Sequence, residues 1–88
     1  MNDTPTITVR LRYFAALRES IGAESATLTL PAGATIATVR ATLAAQHPAA
    51  LAILERCVVA RNRAFADAAT VLAEGDEVVF IPPMAGGS

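Results

Sequence analysis

The side chains able to do chemistry in this sequence are few. It holds one Cys, Cys57, one His, His47, eight carboxylates and seven basic residues, all of them Arg. A tetrahedral zinc site takes about four ligands of the Cys and His kind, so no metal site is expected. A Ser-His-acid or Cys-His centre would have to be built on His47 alone. Cys57 begins an apolar stretch without neighbours that would stabilise a thiolate, and core packing is its expected role. His47 precedes Pro48 at the end of a helical pattern, where an imidazolium interacts favourably with the last carbonyls. It reads as a local cap or a solvent position. Asp76 and Glu77 are adjacent carboxylates, but neighbours at a strand-turn junction point in different directions and favour a structural turn. Arg10 with Arg12, and Arg61 with Arg63, read as solvated faces, with partner docking or attraction of an anionic substrate as the alternative.

One reactive group remains, the main-chain carboxyl. After the last apolar strand the chain runs Pro82-Pro83-Met84-Ala85-Gly86-Gly87-Ser88. Two prolines cannot continue a ladder in the middle of a sheet, and they favour an extended, polyproline-like exit. From Pro82 to Gly87, at ~3.3 Å per residue, such a tail reaches about 20 Å, enough to enter another protein's active site. Gly86 and Gly87 carry no side chains, so the backbone can pass a narrow channel and present a terminal carboxylate to a reagent. A plain disordered terminus is the competing reading of the same composition.

The elements that must position this tail are legible as periodicities. Ile7, Val9, Leu11 and Tyr13 alternate with Thr8, Arg10 and Arg12, the pattern of a half-buried strand. Phe14, Leu17 and Ile21 then mark a short helix that Gly22 stops. Ala26, Leu28 and Leu30 alternate with Thr27 and Thr29 in a second strand, ended by the turn residues Pro31-Ala32-Gly33. Thr35 is placed to cap a helix with a buried stripe of Ile36, Val39 and Leu43. Pro48 ends or restarts that helix, and Leu51 and Leu54 are expected to face the core from a further turn. A third strand is predicted from Cys57 to Ala60, a turn at Arg61-Asn62-Arg63, and a short edge strand at Phe65. Val71 and Leu72 lead into the polar turn Glu74-Gly75-Asp76-Glu77. Val78 to Ile81 is apolar on both faces and so central in its sheet. An α+β fold of the β-grasp kind, a mixed sheet over one main helix, satisfies this order. The division expected is a β-grasp domain at 1–81 and an extended tail at 82–88.

Composition narrows the function classes. Eighty-eight residues suffice for one domain. The 53% hydrophobic content is inflated by Ala, and polar residues interrupt every apolar run before the ~18–20 residues of a membrane span. A net charge of -1 without a basic stripe argues against nucleic acid. The first residues show no basic region followed by an apolar stretch, which makes the cytoplasm the expected compartment.

The run Leu72-Ala73-Glu74-Gly75-Asp76-Glu77-Val78-Val79-Phe80-Ile81-Pro82-Pro83-Met84-Ala85-Gly86-Gly87 resembles the C-terminus of molybdopterin synthase small subunits, ubiquitin-like sulfur carriers. Val9 to Glu19 is similar to that family's opening strand and first helix. Ala60-Arg61-Asn62 falls where the family commonly has an Asn-containing turn. The resemblance implies that a partner adenylyltransferase of the ubiquitin-activating type uses ATP to convert the terminal glycine into an acyl-adenylate. A sulfur donor protein then yields a thiocarboxylate. It further implies that Pro82, Pro83, Met84, Ala85 and Gly86 form the inserting tail, with Gly87 carrying the sulfur. The acceptor would be cyclic pyranopterin monophosphate in a large synthase subunit, the two chains forming a heterotetramer, with the chemistry mainly on the large subunit. No cofactor is held by the small chain itself. The related readings are a carrier for thiamine, cysteine or tRNA thiolation, a ubiquitin-like protein modifier, or a non-catalytic interaction domain. Ser88 departs from the family pattern, in which the second glycine is terminal. A precursor that is trimmed, a tolerated extension and a residue left by cloning all fit it. The docking surface is expected on the exposed sheet face plus the tail, its apolar members unassigned.

Overall fold

The computed structural model describes residues 4–83. Strand β1 (Thr6–Tyr13) leads into helix α1 (Ala15–Ile21), followed by β2 (Ser25–Pro31) and the main helix α2 (Ile36–Gln46). A 3₁₀ turn at Pro48–Ala50 restarts the chain into α3 (Leu51–Arg56), after which come β3 (Val58–Arg61), β4 (Ala64–Ala66) and β5 (Glu77–Ile81). The five strands form one sheet in the order β2-β1-β5-β3-β4. β1 and β5 are parallel, and the other pairings are antiparallel. The expected β-grasp arrangement is met, with β5 in the centre.

Local chemistry accounts for the element ends. Gly22 adopts φ 84, and its N–H donates to the Arg18 carbonyl, closing α1 with a left-handed cap. Thr35 caps α2 reciprocally: its hydroxyl accepts from the Thr38 N–H, while the Thr38 hydroxyl accepts from the Thr35 N–H. Two otherwise orphaned donors are thereby satisfied. His47 ends α2, its N–H bonded to the Leu43 carbonyl, as its position before Pro48 suggests. Arg40 on α2 donates to the carbonyls of Leu54 and Cys57 at the end of α3, and its guanidinium carbon lies 5.9 Å from the centre of the Phe80 ring. One side chain thus joins two helices to the central strand.

The helices pack on the sheet face that carries Val9, Leu11, Tyr13, Val59, Val78 and Phe80. Leu17, Ile36, Val39, Leu43 and Leu54 supply the other half of the core, as the helical stripes predict. Leu51 does not: it is 46% exposed, and Ala50 fills the core instead. The reason is the 3₁₀ turn after Pro48, which changes the phase of the chain so that Ala50 and Leu54, four apart, share the inward face. Ala26 is likewise exposed: it lies on an edge strand whose inward-facing positions are covered progressively, half-buried at Leu28 and buried only at Leu30.

Candidate functional site

Strand β5 delivers the tail, and its base is fixed by a polar clamp that sequence reading places in two unrelated turns. Asp76, 6% exposed, accepts from Arg61 Nε at 2.6 Å, from Asn62 Nδ2 at 2.9 Å and from the Ala73 N–H at 2.8 Å. Asn62 in turn pairs with Glu77, its Oδ1 accepting from the Glu77 N–H and its own N–H donating to the Glu77 carbonyl. Burial alone pushes the Asp76 carboxyl up. The hydrogen bonds from Arg61, Ala73 and Asn62, with the Arg61 charge, outweigh it and hold the carboxyl below the usual range. Asp76 is therefore a structural turn residue, as expected, but Arg61 is not a solvated turn residue. It belongs to β3 and is half-buried against Asp76.

At the other end, β5 finishes at Ile81, and Pro82 and Pro83 follow, half-buried and exposed respectively. Their surroundings come from the sheet register. Val58 lies opposite Ile81, Ala60 opposite Val79, and Phe65 opposite Ala60, so these side chains share the face away from the helices. Arg12 lies beside Val79 on the same face, and its guanidinium carbon sits 5.6 Å from the centre of the Phe14 ring. Phe65 is 80% exposed, Val58 52% and Phe14 41%. Large side chains left in water together at one end of a sheet mark a docking surface. The tail leaves from its border.

The other candidates fall into place around this surface. Arg10 and Arg12 line an open cleft of about 510 Å³, but Glu24 and Glu77 line it too, so the cleft has no charge excess that would select an anion. Cys57 is buried, and its Sγ donates to the Ile53 carbonyl at 3.3 Å. Burial pushes its thiol up, against a smaller opposite pull from the Arg40 charge. It is a packing residue, as its apolar neighbours suggest. Among the described residues no group of three His, Cys, Asp or Glu could hold a metal ion, and no helix is long and apolar enough to cross a membrane. Met84, Ala85, Gly86 and Gly87, with Ser88, lie outside the described residues. What the described part offers is a rigid stalk, an apolar platform and a proline exit. Sequence reading missed the platform's members, although the Val58-Val59 pair carried a signal: adjacent strand residues face opposite ways, so one of them had to lie outside the core.

The ThiS family model matches residues 11–87. A molybdopterin synthase sulfur carrier subunit from Chlamydomonas reinhardtii is 36% identical over 81 residues, covering 90% of this chain and 98% of that protein. Among solved structures, SAMP1 from Haloferax volcanii superposes with a TM-score of 0.82 at 26% identity, covering 91% of this chain and 99% of that one. A chain of the complex of subunits 1 and 2 of the molybdopterin-converting factor from Helicobacter pylori gives 0.68 at 26% identity, covering 92% of this chain and all of that one.

Proposed function

This chain belongs to the ThiS family, and from that membership we propose that it is a sulfur carrier serving as the small subunit of a molybdopterin synthase. The observation that carries the reading is the match over 11–87, which runs through the platform and the proline exit to the Gly86-Gly87 pair. The named relative and the two-subunit complex support the choice of pathway and of a large-subunit partner.

The chemistry follows from the carboxyl. A carboxylate is a poor electrophile, so once hydrolysis of the Gly87–Ser88 peptide bond has freed the Gly87 carboxylate, a partner adenylyltransferase lets one of its oxygens attack the α-phosphorus of ATP, releasing pyrophosphate. Sulfide sulfur from a donor protein then adds at the acyl carbon and expels AMP, leaving a thiocarboxylate. In the large subunit this sulfur bonds to a side-chain carbon of cyclic pyranopterin monophosphate in exchange for an oxygen substituent; water then cleaves the acyl–sulfur bond of the resulting thioester, restoring the carboxylate and leaving the sulfur on the pterin, and two such transfers build the dithiolene. The platform of Phe14, Val58, Phe65, Val79 and Ile81 would dock on the partner while Pro82 to Gly86 thread into its active site. Binding energy away from the reacting atom thereby positions it.

The test is reconstitution. The chain trimmed of Ser88 and the full chain are each incubated with a ubiquitin-activating-type adenylyltransferase, ATP and a sulfide source; the trimmed chain should give a species in which one oxygen is replaced by sulfur at Gly87, read by intact mass and C-terminal peptide mapping. With a large synthase subunit this species should form molybdopterin from cyclic pyranopterin monophosphate. Sulfur found on Ser88 instead would move the reactive carboxyl and overturn the assignment to Gly87. A second reading, protein modification, is favoured by the similarity to the small archaeal modifier. It requires an isopeptide from the tail to another protein's lysine, since this chain has none to accept one.

A further inference from the structure

The sheet has two edges, and they are protected differently. β4 is only three residues long, with Arg63 and Asp67 at its ends, a short charged edge of the kind that discourages pairing. β2 is seven residues long, Ser25-Ala26-Thr27-Leu28-Thr29-Leu30-Pro31, with no charge and no proline before its last position. Among the described residues nothing pairs with its outer side.

Which backbone groups face outward can be worked out from the ladder. The Tyr13 N–H donates to the Glu24 carbonyl, and the Ala32 N–H donates to the Pro5 carbonyl, both in line with the β1–β2 register. Antiparallel bonding alternates, so Ala26, Leu28 and Leu30 bond to β1 while Ser25, Thr27 and Thr29 direct their N–H and C=O groups away from the sheet. All three are exposed.

We propose that this edge pairs with the β2 edge of a second copy, antiparallel about Thr27, forming a twofold dimer with a continuous sheet. The occupant is chosen by self-complementarity. In that register Thr27 meets Thr27 and Ser25 meets Thr29, making about six N–H···O bonds with hydroxyl side chains opposite one another. On the helical face Ala26 meets the half-buried Leu28, a small residue against a large one. No like charges face each other across the seam. The nearest cationic row, on β1, is separated from its mate by three strand spacings, about 14 Å, beyond the Debye length of about 8 Å at physiological salt. The pairing extends the sheet within its plane, at the edge away from β5 and β3, and does not cover the platform, so it does not depend on the proposed sulfur chemistry. An edge contact of this length lies at the small end of interfaces, below about 1,200 Å². Its association is accordingly weak.

Sedimentation velocity on the full chain from about 10 μM to about 1 mM, with amide hydrogen exchange by NMR over the same range, tests the proposal. The expected result is a monomer–dimer shift in which the Ser25, Thr27 and Thr29 amides slow at least tenfold with concentration, while Ala26 and Leu28 do not change. Thr27→Pro removes only an outward N–H and should abolish the dimer; Thr27→Ala should retain it. A chain that stays monomeric at about 1 mM, or a dimer in which these three amides exchange as fast as in the monomer, overturns the proposal, whether or not the proline variant folds.

Discussion

Asp76, read in the sequence as a structural turn residue, holds the base of the central strand through bonds from Arg61, Asn62 and Ala73. Its carboxyl is depressed in the folded protein, so the stability it contributes is fully present above the unfolded value of about 4 and is lost as pH falls through the folded value. The urea midpoint should therefore fall as pH is lowered below about 4. Asp76→Asn should lower stability by about 1–3 kcal/mol at pH 7, since buried acceptor bonds are lost, and should flatten the acid decline. Equilibrium unfolding of both proteins between pH 2 and 7, read by circular dichroism, checks both points. The loss should not reach the extreme of a fully buried pair, because the Arg61 side chain is 35% exposed and can turn to water.

Among the elements, α2 and the β3–β4 hairpin show how short-range chemistry sets geometry. Thr35→Ala removes the hydroxyl that accepts from the Thr38 N–H, leaving the Thr35 N–H still bonded to the Thr38 hydroxyl, and should cost about 1 kcal/mol, seen as a lower thermal midpoint. In the hairpin, Arg61 pairs with Ala64, leaving Asn62 and Arg63 as a two-residue turn with φ of 50 and 72. Both lie in the left-handed region that a type I′ turn requires; Asn tolerates it, whereas Arg is strained. Arg63→Gly should raise stability by about 0.5–1 kcal/mol in chemical denaturation, strain relief exceeding the added freedom of the unfolded chain. Asn62 gains no such benefit from replacement, because its side chain closes the clamp on Asp76 and Glu77.

For the whole molecule, the decisive feature is the separation of stability from presentation. The helical face holds the fold together, and the opposite face leaves large apolar groups in water beside the exit of the tail. Phe65→Asp should accordingly leave the unfolding free energy within about 0.5 kcal/mol of the parent, because the ring is 80% exposed. The same substitution should weaken binding to a large synthase subunit at least tenfold, about 1.4 kcal/mol, in isothermal titration calorimetry. Equal loss of stability and binding would show that Phe65 is a folding residue instead.

Much of this architecture follows from local pattern. The alternation in Ile7–Tyr13, the stripe of Ile36, Val39 and Leu43, the cap at Thr35 and the apolar closing strand each encode an element, because helix and strand periods differ and solvent sorts their faces. The proline exit and the paired glycines are also written in consecutive residues, and so is the family resemblance they carry. Three things required the chain to be folded. Leu51 and Ala50 exchanged places because a 3₁₀ turn changed the helical phase. Arg61 and Asp76, fifteen residues apart, became partners because β3 lies beside β5. The platform of Phe14, Val58, Phe65, Val79 and Ile81 draws on four separate segments of chain, and no periodicity within one strand reports which strand will lie next to it. Sequence determined the elements and the tail; strand order and register decided the surface that surrounds its exit, because these depend on contacts between residues distant along the chain.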